Sequence, residues 1–290
     1  MQRKIAQIVD SAGSIPRDLI ERYHIGEVAF HILFGEQQYR ENISISSEEF
    51  YERMHSRPDQ VPKTAVPGTS AWNQAFKEKY EQGYRDYIVT TIAEPLSASV
   101  QSATVAAREF MQSHPGVNIH ILSSNTCACG QAALEIKIAE LIEQGELAAE
   151  ALVEQINQYL PRTVSLFSVN ELTYMHAGGR IGGAAAFLGK LINIKPVCEF
   201  VDGIVHPIKP VRCRSKALLT MVDEAVKRIS RTEDLIICVQ HALCKQDADF
   251  LVSHLRDQLD YTGPIYTSPV GAVVGAHSGP GAIGIGILQG

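Results

Sequence analysis

The stretch 87–93, Tyr-Ile-Val-Thr-Thr-Ile-Ala, carries no charge and no polar alternation. A strand of that kind is buried on both faces, which places it inside a parallel sheet covered by helices on either side. The chain around it supplies those helices. Apolar strands are expected over 5–9, 28–34, 87–93 and 118–122, and helices over 71–82, 96–111 and 130–142. Ser14 stands where a cap is wanted for a helix with Pro16 in its first turn. Ser46 and Glu49 have capping-box spacing ahead of Phe50 and Met54. Strands alternating with helices over the first 145 residues or so predict an α/β domain with a parallel sheet.

The pattern changes after Pro161, which ends a helix over 148–159. A strand over 164–169 and a short helix over 171–176 come next. The apolar helix expected over 184–192 reads either as an interdomain core helix or as the wall of an apolar ligand tunnel. The segment 196–211 turns at Asp202-Gly203, a strong hairpin signal. Helices over 216–229 and 247–259 flank a strand over 235–239. Residues 270–274 read as a strand, followed by a turn carrying His277 and an alternating strand to the end. This order is α+β, so the expected division is 1–160 and 161–290.

Length and composition narrow the function. A chain of 290 residues holds one large or two medium domains. A net charge of -6 argues against nonspecific nucleic-acid binding. No apolar run is long enough to span a membrane, and no signal peptide is visible at Met1-Gln2-Arg3-Lys4-Ile5. Several of the six cysteines lie in apolar runs, which suits reduced thiols in a cytoplasmic protein. Cys127-Ala128-Cys129 leaves a metal or redox role open, although no second ligand pair stands at metal spacing.

Four features carry candidate chemistry. Gly279-Pro280-Gly281-Ala282-Ile283-Gly284 spells GxGxxG, but no helix follows it, so a dinucleotide site is rejected. The hydroxyl-rich loops Asp10-Ser11, Lys63-Thr64 and Leu96-Ser97-Ala98-Ser99 suit an anion if they share one sheet edge. Taken singly, Ser14, Thr69 and Ser97 also read as plain helix caps. Arg180 stands among glycines and can fork onto a carboxylate or phosphate, and Arg212 lies in a local basic patch around Cys213; both also read as solvated surface charges. His277, between an apolar run and a glycine turn, is the histidine best placed to meet a ligand. The other histidines are scattered, neither GxSxG nor HExxH occurs, and no metal or cofactor is indicated.

In order along the chain, Ile8-Val9-Asp10-Ser11, Pro62-Lys63-Thr64, Leu96-Ser97 with Gln101-Ser102-Ala103, Gly178-Gly179-Arg180-Ile181, Asn193-Ile194-Lys195-Pro196, Asp202-Gly203, Val211-Arg212 and Ala276-His277-Ser278-Gly279-Pro280-Gly281 resemble the motifs of the DegV family of bacterial fatty-acid-binding proteins. The resemblance runs nearly end to end. It implies two domains with one long-chain fatty acid between them, and a carrier rather than an enzyme. It implies a fatty-acid kinase as partner, to which the acyl carboxylate is presented, and transient contact with a membrane surface is compatible with it. Carried over by position, Thr64 holds the carboxylate with His277 and Gly279 close by. Arg180 and Arg212 face the kinase or the phosphate.

The chain departs from the family pattern at the polar end. Ala93-Glu94-Pro95 stands where two serines precede Leu-Ser, and the second of those serines contacts the carboxylate in the family. An ionised Glu94 there repels a carboxylate. Thr64-Ala65-Val66-Pro67-Gly68 replaces Thr-Ser-Gln-Pro-Ser, Ser123-Ser124 replaces Asp-Ser, and Ala98 replaces glycine. Ser97 and Ser99 are the expected substitutes for the missing serine, and Phe187 and Leu188 the expected apolar end. Two rival readings follow. One is an enzyme acting on a small polar ligand, with Glu94 and His277 as an acid–base pair. The other is a regulatory module docking an acidic partner through Arg212.

Overall fold

The computed structural model describes residues 5–57, 60–188 and 194–290. Its elements in chain order are β1 (Ile5–Asp10), α1 (Arg17–Arg22), β2 (Gly26–Val28), β3 (His31–Phe34), β4 (Gln37–Arg40), α2 (Ser47–Ser56), β5 (Lys63–Ala65), α3 (Thr69–Glu81), β6 (Asp86–Thr91), α4 (Ser99–Ser113), β7 (Asn118–Ser123), α5 (Ala128–Gln144) and α6 (Ala149–Tyr159). The second half continues with β8 (Thr163–Ser168), α7 (Thr173–Ala177), β9 (Lys195–Val201), β10 (Ile204–Val211), α8 (Arg214–Arg228), β11 (Leu235–His241), α9 (Lys245–Leu259), β12 (Ile265–Pro269), α10 (Ala272–Ser278) and β13 (Ile283–Gln289).

The first half builds a parallel sheet in the order β2-β1-β6-β7. Side chains alternate across it as the two-residue period requires. Ala6, Ile8, Tyr87 and Val89 pack on one face with Trp72 and Phe76 of α3 and Phe110 of α4. Ile5, Val9 and Ile88 pack on the other with α5 and α6. β6 is therefore covered on both sides, as its composition predicts. A small antiparallel sheet, β4-β3-β5, lies beside it.

The second half builds a six-stranded mixed sheet, β10-β9-β8-β13-β11-β12. α5 fills the space between the two large sheets, packing against Ile5, Val9 and Ile88 of one and Ile236, Cys238 and Leu288 of the other. The alternating glycines of β13 make this possible. A Cβ on Gly286 would overlap the Cys129 backbone at the start of α5. Ile283, Ile285 and Ile287 point the other way, into the core formed with α8 and α9. Small residues on one face and branched ones on the other thus let a helix and a core share one strand.

The hairpin at Asp202-Gly203 is present, with Val201 opposite Ile204 and both turn residues at positive φ. The capping box is present too: Ser46 Oγ accepts from the Glu49 amide and Glu49 Oε2 from the Ser46 amide.

Four expectations are corrected. The strand expected over 28–34 is two strands in different sheets, broken at Ala29 and Phe30. Ser14 does not cap α1, whose N-cap is Pro16; its Oγ accepts from the Gly271 amide at 2.9 Å. The strand expected over 270–274 is absent: Val270 and the N-cap Gly271 lead into helix α10, which starts at Ala272. The buried Glu41 carboxyl accepts from the Val273 amide at 2.8 Å, so a distant side chain supplies the cap that the local sequence lacks. The helix expected over 184–192 is a tight 3-10 turn over Gly182–Phe187, and residues 189–193 lie outside the described residues.

Candidate functional site

α10 lies along a cavity, and its sequence shows how. Val270, Val273, Val274, His277 and Ser278 all line it. That is the i, i+3, i+4, i+7, i+8 spacing of one helical face. The cavity volume is about 120 Å³. Phe30 and Ile92 come to the wall from the first half of the chain, and Phe167, Met175 and Phe200 from the second. Phe167 and Phe200 stack with ring centres 5.0 Å apart.

One end of the cavity is polar. Thr64 on β5 puts its Oγ1 2.9 Å from His277 Nε2. Arg180 lines the same end. Its Nε donates to the Leu96 carbonyl at 3.1 Å and its Nη1 to the Gly178 carbonyl at 2.6 Å. Gly178 is needed there because any Cβ would overlap the His277 ring. Gly279 ends α10 at φ +75, and a Cβ on it would strike the Tyr174 ring.

Burial pushes the His277 pKa down to about 4, and the Arg180 charge adds to that effect. The ring is therefore neutral at pH 7, and the guanidinium is the cation facing the cavity at this end. His277 Nδ1 and Ser278 Oγ are buried without partners among the described residues. Neutral donors beside a fixed cation suit a carboxylate. The His277 ring is expected to titrate near pH 4 by NMR in the ligand-free protein, and a midpoint near 6.5 would contradict this environment. Its folded pKa lies below 6.5, so the unfolded chain takes up the proton first as pH falls. His277 accordingly contributes stability above about pH 6.5 that is lost as pH falls through 4.

The residues singled out in the sequence separate into two groups. Thr64, Ser97, Arg180 and His277 line the cavity. Ser99, Glu94, Gly279 and Arg212 do not. Ser99 is fully buried and donates to Asp10 Oδ2 at 2.7 Å. Glu94 is exposed and accepts from Gln101 Nε2, so the substitution that threatened a carboxylate lies outside the cavity wall. Arg212 is exposed at the end of β10. Phe187 and Leu188 pack, partly buried, against the hydrophobic cluster that surrounds the cavity without lining it.

The three hydroxyl loops do not share one edge. Asp10 accepts from the Ile92 amide and from Ser99, which joins the ends of β1 and β6, whereas Thr64 belongs to the small separate sheet. Burial raises the pKa of Asp10. Cys127 and Cys129 line the cavity as neutral thiols: burial pushes Cys129 up to about 11 and Cys127 higher still. Neutral thiols are poor nucleophiles and poor metal ligands. No cluster of three ligating side chains occurs among the described residues.

Sequence reasoning missed Glu41, Ser278 and Gln240. Ser278 was within reach, since it falls on the helical face that begins at Val270. Glu41 and Gln240 act through contacts more than two hundred residues away in the chain, and nothing local marks them.

The family model of DegV, whose members it describes as uncharacterised, matches residues 4–290. A DegV domain-containing protein of Staphylococcus aureus is 29% identical over 98% of this chain and 97% of its own length. Among solved structures, a stearic-acid-binding protein of Eubacterium ventriosum superposes with a TM-score of 0.92 at 26% identity, covering 99% of this chain and 98% of that one. The fatty-acid-binding protein DegV of Bacillus subtilis superposes with a TM-score of 0.88 at 26% identity, over the whole of both chains.

Proposed function

The chain belongs to the DegV family, and on that premise we propose that it binds one long-chain fatty acid in the cavity beside α10. The observation that carries this is the pairing of Thr64 with His277 at 2.9 Å, beside Arg180, at one end of a mainly apolar cavity. The Thr64–His277 pair holds one of its two protons between its members and gives the other to the carboxylate, with Ser97 and Ser278 within the same wall, and the charge is met by Arg180. The acyl chain runs along the valine face of α10 between the phenylalanines. The stearic-acid-binding relative at 26% identity supports the ligand class.

On this reading the protein is a carrier, divided near residue 161 into the parallel-sheet half and the mixed-sheet half, with the acyl chain between them. It works in the cytoplasm and presents the carboxylate to a fatty-acid kinase, with Arg180 at the cavity and exposed Arg212 facing that partner. No helix among the described residues is long and apolar enough to cross a membrane. The acid–base alternative finds no support in the geometry, because Glu94 is exposed and engaged with Gln101 rather than with His277.

Native mass spectrometry of the freshly purified protein, before and after solvent extraction, tests the proposal. A bound mass equal to a fatty acid that leaves on extraction and returns on addition is expected. A clean apo mass with no uptake would overturn it.

A further inference from the structure

The cavity has a second polar contact point, away from Thr64 and His277. Gln240 lines the wall and is 1% exposed. Its Nε2 donates to the carbonyls of Gly13 and Ser14, at 2.9 and 3.0 Å. Both amide protons are thus committed to acceptors, which fixes the orientation of the amide and leaves Oε1 as the free end. Oε1 is buried without a partner among the described residues. Beside it on the same wall are Ser165 and Cys129, each 2% exposed and touching each other, Oγ to Sγ, at 3.7 Å. Burial leaves the Cys129 thiol neutral. An unpaired buried acceptor next to two weakly engaged hydroxyl or thiol groups is costly inside an apolar wall.

The position of this patch follows from register. Gln240 pairs across the sheet with Ser268 and Gly284. The neighbouring His241 carbonyl accepts from the Val270 amide, where the α10 face begins. His277 lies at the far end of that helix. Seven helical residues span about 10 Å. An extended chain advances about 1.2 Å per bond, so the patch lies opposite roughly the ninth or tenth carbon of an acid anchored at Thr64.

Resting on the acyl-binding reading, we propose that Gln240, Ser165 and Cys129 form a subsite for the hydroxyl of a fatty acid hydroxylated in mid-chain. A hydroxyl donates to Gln240 Oε1 and accepts from Ser165 or Cys129, so it satisfies both kinds of group at once. A keto oxygen only accepts and leaves Oε1 unpaired. A plain methylene satisfies neither.

Binding of stearic, 10-hydroxystearic and 10-oxostearic acids to the delipidated full chain, by calorimetry, tests this. The wild type is expected to bind the hydroxy acid at least as tightly as stearic acid and about tenfold more tightly than the oxo acid, the worth of one buried hydrogen bond. Ser165→Ala and Gln240→Leu are each expected to weaken the hydroxy acid about tenfold relative to stearic acid bound by the same variant. Gln240→Leu also removes the donors to Gly13 and Ser14; if it does not fold, Ser165→Ala carries the test. Stearic acid bound far more tightly than the hydroxy acid by the wild type overturns the subsite and leaves acyl binding standing. A hydroxyl preference that survives both substitutions, or Ser165→Ala alone, overturns its placement. Binding of none of the three acids overturns the acyl reading itself, and the subsite with it.

Discussion

Thr64→Val lowers fatty-acid affinity by about ten- to a hundredfold, the effect of removing one hydrogen bond to a charged group. Valine keeps the shape and takes away only the hydroxyl that faces His277 Nε2 at 2.9 Å. Thr64 is half-buried on a short edge strand, so the fold tolerates the change. Thr64→Ser restores the hydroxyl and is expected to bind within a few-fold of wild type. The control that isolates the mechanism is the ligand. A long-chain alcohol has no carboxylate, so its affinity should change much less than that of the acid between wild type and Thr64→Val. Arg180→Ala should weaken the acid and reduce its dependence on salt, because the guanidinium is the cation at that end. Equal losses for acid and alcohol would place Thr64 along the acyl chain instead of at the head group. Unchanged acid binding would remove it from the site.

The parts that were legible in the sequence are those in which local pattern and tertiary role agree. The uncharged run of β6 is covered on both faces, the Asp202-Gly203 hairpin turns where it should, and Ser46 and Glu49 close their capping box. Thr64 reads as part of a hydroxyl-rich loop and His277 as the histidine before a glycine turn, the family resemblance pairs them, and the fold brings them together across 213 positions of chain. The failures have one cause. At Val270–Val274 the β-branched residues favour a strand locally. The helix wins because Glu41 and Ser14, from two distant places in the sequence, accept from the amides of Val273 and of the N-cap Gly271. Ser99 reads in the sequence as a ligand contact but is held by Asp10, a partner that only the fold supplies. By its place in the motif Glu94 reads as a repulsive charge in the pocket, but the chain turns it outward. A serine or glutamate in a loop can meet a ligand, a neighbour or water, and its local sequence does not say which.

Glu41 gives the sharpest test of how that helix is held. It is 1% exposed, its Oε1 accepts from the Val273 amide at 2.8 Å, and its Oε2 meets Ser11 Oγ. Glu41→Ala leaves the Val273 amide and the Ser11 hydroxyl buried without this partner, and opens a void. A loss of about 2–5 kcal/mol is expected, with weaker fatty-acid binding because α10 carries His277. Glu41→Gln behaves differently. Burial pushes the Glu41 pKa up to about 8 from an ordinary value of 4.5. The folded state therefore keeps the carboxyl protonated where the unfolded chain ionises it. The contribution of Glu41 to stability is fully present below pH 4.5 and is lost as pH rises through 8, at up to about 1.4 kcal/mol per pH unit within that window. A glutamine keeps one acceptor for Val273, gives Ser11 a donor, and has no proton to lose. Denaturant unfolding at pH 4.5 and pH 8 should find Glu41→Gln close to wild type at the lower pH and more stable than wild type by roughly 2–5 kcal/mol at the higher. Asp10 and Glu135 are also raised by burial and also weaken the fold as pH rises, but they are common to both proteins and cancel in the difference. A stability difference that stays constant between the two pH values would mean that Glu41 is ionised in the folded protein. The clamp on α10 would then be a charged one, and Glu41→Gln should loosen fatty-acid binding as Glu41→Ala does.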